Sequence, residues 1–201
     1  MSKKRVLLKL IYYLRTFYDH LCSRWYRLFI GHIGKTTVIR RHCRLDGDCL
    51  DHVYIGENCA FDSYFCLGAR SVAKNGESLL IPEIRIGNNC NIGQFNHFTA
   101  VNKIVIGDNL LTGKFVLITD NSHGSSDYDQ LHMHPSLRPV MTKGEVVIGN
   151  NVWLGDKVSV LSGVHIGNGC VVGANSVVTH DIPDYCIAVG IPAKVIKSLK
   201  Q

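Results

Sequence analysis

His123 lies in the run ITDNSHG at 118–124. An imidazole titrates near neutrality, so it is the side chain best matched to taking a proton from a hydroxyl at physiological pH. Asp120 and Asn121, just before it, are of types that orient a ring or hold a sugar hydroxyl, and equally of types that serve a turn. A second cluster, His132 and His134 beside Asp127 and Asp129, has metal-ligating chemistry. No third ligand with matching spacing joins it, so no metal is expected. Eight cysteines contain no C-x-x-C pair. Five of them (Cys43, Cys49, Cys59, Cys90 and Cys170) share one position of a repeat, which reads as small core residues in a reducing cytoplasm.

The elements that must position these groups follow from that repeat. Apolar residues recur every six positions: Ile33, Ile39, Leu45; Ile55, Phe61, Leu67; Ile86, Ile92, Phe98; Ile106, Thr112, Ile118; and Ile148 through Val178. Of these 18 positions 17 are apolar, Thr112 being the exception, and Gly follows 11 of them. A helix turning about 100° per residue would scatter a six-residue period over three faces. Extended chain keeps it on one face, because position i+4 and the next i are two residues apart. The i+4 column is mostly small or β-branched, as an inner corner requires, and Gly at i+1 permits close packing or unusual dihedrals. Three units close a coil of 18 residues, and stacked coils form a triangular all-β solenoid with one apolar axis. By the same parity i+5 points outward, which places His123 and Trp153 on the surface.

Composition limits the alternatives. With 46% hydrophobic and 19% charged residues the chain can bury a core, which excludes intrinsic disorder. The net charge of +6 comes from residues 1–30, which hold Lys3, Lys4, Arg5, Lys9, Arg15, Arg24 and Arg27 against Asp19 alone. The remaining 171 residues carry equal numbers of each sign, so nucleic acid is not indicated. Apolar runs are too short for a membrane span, and Lys9 and Arg15 interrupt any secretory leader.

Over roughly residues 31–200 this pattern resembles the left-handed parallel β-helix acyltransferases built from hexapeptide repeats. The C-terminal runs VVIGNNVWLGDKVSVLSGVHIGNGCVVGANSVVTHDIP and AVGIPAKVIK are similar to those of sugar and polysaccharide O-acetyltransferases, the group of galactoside and maltose acetyltransferases. ITDNSHG is similar to that group's catalytic-histidine segment, and LRPVMTKGEVVIG to its return from a long loop. The resemblance implies a homotrimer with active sites between neighbouring prisms. It implies acetyl-CoA as donor, lying along the outside of the C-terminal coils, and His123 as general base. Trp153 then borders the groove, and Gly155, Asp156, Ser162, Ala174 and Thr179 line the acyl-CoA track. Lys194 and Lys197 meet the nucleotide phosphates. Asp120, Asn121, Asn96 and Lys103 are the candidate acceptor-binding residues, Lys103 being expected in the outer column of His123 one coil earlier. Asn121 stands where many relatives place a histidine, so no second histidine's role is carried over.

The implied organisation is an N-terminal amphipathic helical segment (1–30), a β-helix domain (31–183) with loop insertions at 73–85 and 124–147, and a C-terminal capping segment (184–201). Within the first, Leu7, Ile11, Leu14, Tyr18, Leu21, Trp25 and Leu28 follow helical spacing on one side. Residues 4–29 therefore cap the open end of the solenoid or pack in the trimer, contact an anionic membrane peripherally, or do both. The expected function is O-acetylation of a sugar hydroxyl in a surface-polysaccharide precursor. The expected location is the cytoplasm, with the inner membrane face as a variant of it. N-acetylation of an amino sugar or nucleotide sugar, a zinc-dependent β-helix hydratase and a non-catalytic scaffold are the rivals.

Overall fold

The computed structural model describes residues 3–74, 78–124 and 127–200. Short strands, many of two residues, stack in parallel into three faces of a left-handed β-helix. The first face runs from His32–Ile33 through Lys103–Ile106 and Val146–Ile148 to His165–Ile166. The second contains Val38–Ile39, Leu111–Thr112, Trp153–Leu154 and Val171–Val172, and ends in Cys186–Gly190 paired antiparallel with Ala193–Ser198. The third includes His97–Ala100, Leu117–Thr119, Ser159–Val160 and Val177–Val178.

The apolar axis is the one the repeat specifies. Every i position except the half-buried Leu45 is buried, including Thr112. That lone polar member is satisfied in place: its Oγ1 accepts the Gly93 N–H (2.9 Å) and bonds the amide of Asn96, an i+4 residue that is also fully buried. Ten non-glycine i+3 residues, from His42 to Asn175, turn corners in the left-handed region at φ between 57° and 67°. One corner column carries four rings there. His42, Tyr64, Phe95 and Phe115 stack at centroid spacings of 5.2, 5.0 and 4.9 Å. Bulky residues strain such dihedrals, and the stacking offsets part of that strain. Gly at i+1 serves proximity instead: a Cβ added to Gly34 would overlap the Gly56 carbonyl of the next coil.

Both insertions leave between coils. At the 73–85 insertion, Val72–Lys74 and Ser78–Leu80 form an antiparallel pair. Val146 and Val147, placed by the sequence in the 124–147 insertion, already belong to the first face, which resumes in register with Ile104 beside Val146 and Ile106 beside Ile148.

Helix α1 (Lys3–Tyr26) caps the first coil, and it does so with its polar side. Val38 and Arg40 donate their N–H groups to the second coil, so Ile39 presents its own to the open end. There the Ser23 hydroxyl accepts the Ile39 N–H at 2.8 Å. Tyr26 Oη donates to the Cys43 carbonyl (3.0 Å), and the Arg27 guanidinium donates to the carbonyls of Gly34, Lys35 and Thr37. An exposed sheet edge needs polar partners, and this strip supplies them. Asp19, buried on the same side, lies 3.7 Å from Arg40.

Candidate active site

The corner before His123 is built around Asp120, whose side chain is fully buried. Its Oδ1 accepts the Val101 N–H (2.9 Å) and its Oδ2 the Asn102 N–H (2.8 Å), stapling this corner to the coil before it. The Asp120 carbonyl accepts the Ser162 hydroxyl at 2.7 Å, and Ser162 Oγ accepts the Lys143 N–H at 2.7 Å. One hydroxyl thus joins the histidine's corner, the returning loop and the next coil. From this anchored corner Ser122–His123 departs to pair antiparallel with Val140–Met141, His123 opposite Val140, and the Gly124 N–H bonds the Pro139 carbonyl at 2.8 Å. The His123 side chain is exposed at that clip.

Several expectations change at this point. Asn96 and Asp120, expected to meet an acceptor, are fully buried in the chain and spend their polar atoms on it. Asn96 Oδ1 accepts the Val116 N–H at 2.7 Å. In this arrangement both brace the coils around them. Ser162 likewise offers its hydroxyl inward rather than to a donor. Lys103 does not stack with His123. The register seats Glu145 beside it instead, and its ammonium lies 3.6 Å from Glu145 and 3.9 Å from Glu83. Asn121 is half-buried, its amide donating to the Thr99 carbonyl at 3.3 Å.

The other donor-track candidates gather on the last coils. Trp153 is 52% exposed on the second face, between Leu111 and Val171. Gly155 opens the next corner, where a Cβ would come within 2.7 Å of the Ala174 amide nitrogen. Asp156 is exposed and its Oδ1 accepts the Lys114 N–H at 2.8 Å. Ala174 is exposed, as is Thr179, whose Oγ1 lies 2.8 Å from His180 Nδ1. Lys194 and Lys197 are exposed on the terminal strand, opposite Val189 and Ile187.

The H-x-H cluster divides its histidines between separate tasks. His132 packs edge-on against Tyr128 at 5.2 Å, and His134 Nδ1 lies 2.8 Å from Ser136 Oγ. The side chain of Asp129 lies outside the described residues. Among the described residues no group of three His, Cys, Asp or Glu is placed to hold a metal.

Sequence reasoning missed Thr142 and Lys143 as parts of this architecture. The Thr142 hydroxyl donates to the Gly144 carbonyl (3.1 Å) and lies 3.3 Å from Ser162 Oγ. Their only signal is the polar turn TKG inside the loop's return segment.

Known proteins share this architecture. A profile for "Bacterial transferase hexapeptide (six repeats)" matches residues 145–180. A protein of Escherichia coli K12 named as a lipopolysaccharide biosynthesis O-acetyl transferase, WbbJ, is 42% identical over 117 residues, covering 57% of this chain and 60% of that protein. Galactoside O-acetyltransferase of the same organism is 37% identical over 116 residues, covering 57% of each. The chain therefore spans under two thirds of either relative's length. Among solved structures, a single-residue mutant of AntD, an N-acyltransferase from Bacillus cereus, in complex with dTDP and coenzyme A, superposes with a TM-score of 0.69 at 20% identity over 89% of both chains.

The fold defines a hexapeptide-repeat β-helix protein. In its repeat and in sequence the chain is similar to hexapeptide-repeat acetyltransferases.

Proposed function

We propose that this protein transfers the acetyl group of acetyl-CoA to a sugar hydroxyl of a surface-polysaccharide precursor, with His123 as the general base. The observation that carries this reading is the anchored corner. Asp120, Ser162 and the Val140–Met141 strand fix the backbone around an exposed imidazole.

The residues at the C-terminal coils fit a long anionic donor. Gly155 and Ala174 leave a corner with little side-chain bulk, Trp153 offers a bare ring, and Lys194 and Lys197 supply cations toward phosphates. The bound thioester supplies the electrophilic carbonyl. His123 holds the proton of the acceptor hydroxyl as that oxygen attacks, and returns it to the departing thiolate. General base catalysis of this kind contributes ~10²–10⁴-fold, and alignment of the two substrates supplies much of the rest. The relatives named for O-acetyl transfer favour a hydroxyl over an amine acceptor.

Three chains forming one particle, with the site at their junction, complete this reading, and it places the enzyme in the cytoplasm. The test is calorimetric titration with acetyl-CoA, followed by a thiol-release assay over free, nucleotide-linked and lipid-linked sugars. About one donor per chain, a trimeric mass and turnover with hydroxyl acceptors support the proposal. A folded protein that binds no acetyl-CoA overturns it.

A further inference from the structure

The face of α1 opposite its capping strip is exposed. Leu7, Leu10, Ile11, Leu14, Phe17, Tyr18, Leu21 and Trp25 form one stripe along the helix, each more than half exposed. On a helical wheel the stripe is about 120° wide, the width of a face that ordinarily turns into a core. Its shoulders are cationic: Arg15 stands on one side and Arg24 on the other, both exposed, with Lys9 beyond. The sole acid of residues 1–30, Asp19, is buried on the capping side.

We propose that α1 lies flat on an anionic lipid surface, with this stripe in the acyl–headgroup boundary and the basic shoulders on lipid phosphates. Charge decides the occupant. A second copy laid face to face would bring basic shoulders together with no acid to meet them, whereas an anionic headgroup layer complements them. Phe17, Tyr18 and Trp25 suit that boundary, where one end of a ring is apolar and the other wet. No helix among the described residues is long and apolar enough to cross a bilayer, so the helix rests in the interface rather than spanning it. The capping bonds of Ser23, Tyr26 and Arg27 hold the solenoid to the opposite side of the same helix, so lipid contact leaves the fold intact.

The protein holds two tryptophans, so Trp153→Phe leaves Trp25 as a single reporter on the stripe. The full chain is mixed with phosphatidylcholine vesicles containing or lacking phosphatidylglycerol, and followed by co-sedimentation and Trp25 emission. Expected are a blue shift with the anionic vesicles and at least ~10-fold stronger partitioning onto them, weakened by salt. Leu14→Glu with Leu21→Glu should abolish binding while the melting curve stays unchanged, because neither side chain supports the fold. No partitioning, or equal partitioning onto neutral vesicles, overturns the proposal. So does a wild-type oligomer that the double variant dissociates with Trp25 already shielded before lipid is added, which would assign the stripe to a second copy.

Discussion

Asp120→Asn separates a supporting role from an acceptor-binding one. The aspartate is fully buried, and its two oxygens each receive a backbone N–H, from Val101 and Asn102, at 2.9 and 2.8 Å. An amide keeps one acceptor and turns a donor toward the other N–H. The loss is one hydrogen bond to a charged group, about 1.5–3 kcal/mol, together with a buried N–H left unmatched. A total of about 2–4 kcal/mol should lower the melting midpoint by roughly 4–16 °C in a chain of this size. The assay is thermal unfolding at neutral pH, with acceptor KM and kcat measured well below the midpoint. Because the corner carries His123, kcat should fall with acceptor KM little changed. Unaltered stability combined with a large rise in acceptor KM would refute the supporting role and return Asp120 to the binding surface.

His123→Ala should reduce kcat by ~10²-fold or more while leaving acetyl-CoA affinity and the melting midpoint unchanged; a loss below tenfold would remove the histidine from the role of base. Ser23→Ala leaves the Ile39 N–H without its partner and should cost about 1–3 kcal/mol, read as faster amide exchange at Ile39 and Ser23's neighbours in the first coil. Gly113→Ala should destabilise by about 1–3 kcal/mol or more, since the new Cβ would meet Asp156, including its backbone nitrogen at 2.6 Å; a neutral effect in unfolding would contradict the coil spacing. Acid should weaken the fold through Glu57, which the hydroxyl and backbone N–H of Thr36 hold down at about 2. With the folded value below the unfolded one, the unfolded chain binds more protons, so the contribution is full above about pH 4.5 and fades toward pH 2. Thr36→Val should flatten that part of the stability–pH curve, measured by midpoints across the range.

The solenoid was legible because its period has one physical solution. Alternation about the corners puts i and i+4 inside, and burial follows that rule down to Thr112 and Asn96. The same rule placed Asn96 inward, against its assignment to an acceptor. Ser122 breaks the rule: an i+4 residue, it is exposed because the chain leaves the coil there to pair with the returning loop. That departure also separates His123 from the column of Lys103, since a long insertion lets Glu145 take the next place in the ladder. In α1 the period reveals two faces without saying which turns inward. The polar one does, because what it covers is a row of unpaired backbone groups rather than an oily surface. Asp120 and Ser162 were unreadable as supports, since nothing in their spacing announces hydrogen bonds to residues 18 and 42 positions away.

The ladder of the first face closes over the excursion ahead of Val146 as though no residues intervened, with Ile104 beside Val146 and Ile106 beside Ile148. A strand pairing indifferent to what is inserted between its members makes the excursion an exchangeable part. The stretch between Gly124 and Pro139 can be lengthened, shortened or replaced at little more than the cost of loop closure, which grows only slowly with length, provided Val140–Met141, Thr142 and Lys143 keep their bonds to the histidine's corner. Variation is thereby confined to one segment on the side of the prism next to His123, while the C-terminal coils inherit their geometry unchanged. Swapping this segment between homologues should transplant preference for one partner without retuning the other, giving a scaffold with one fixed socket and one interchangeable one.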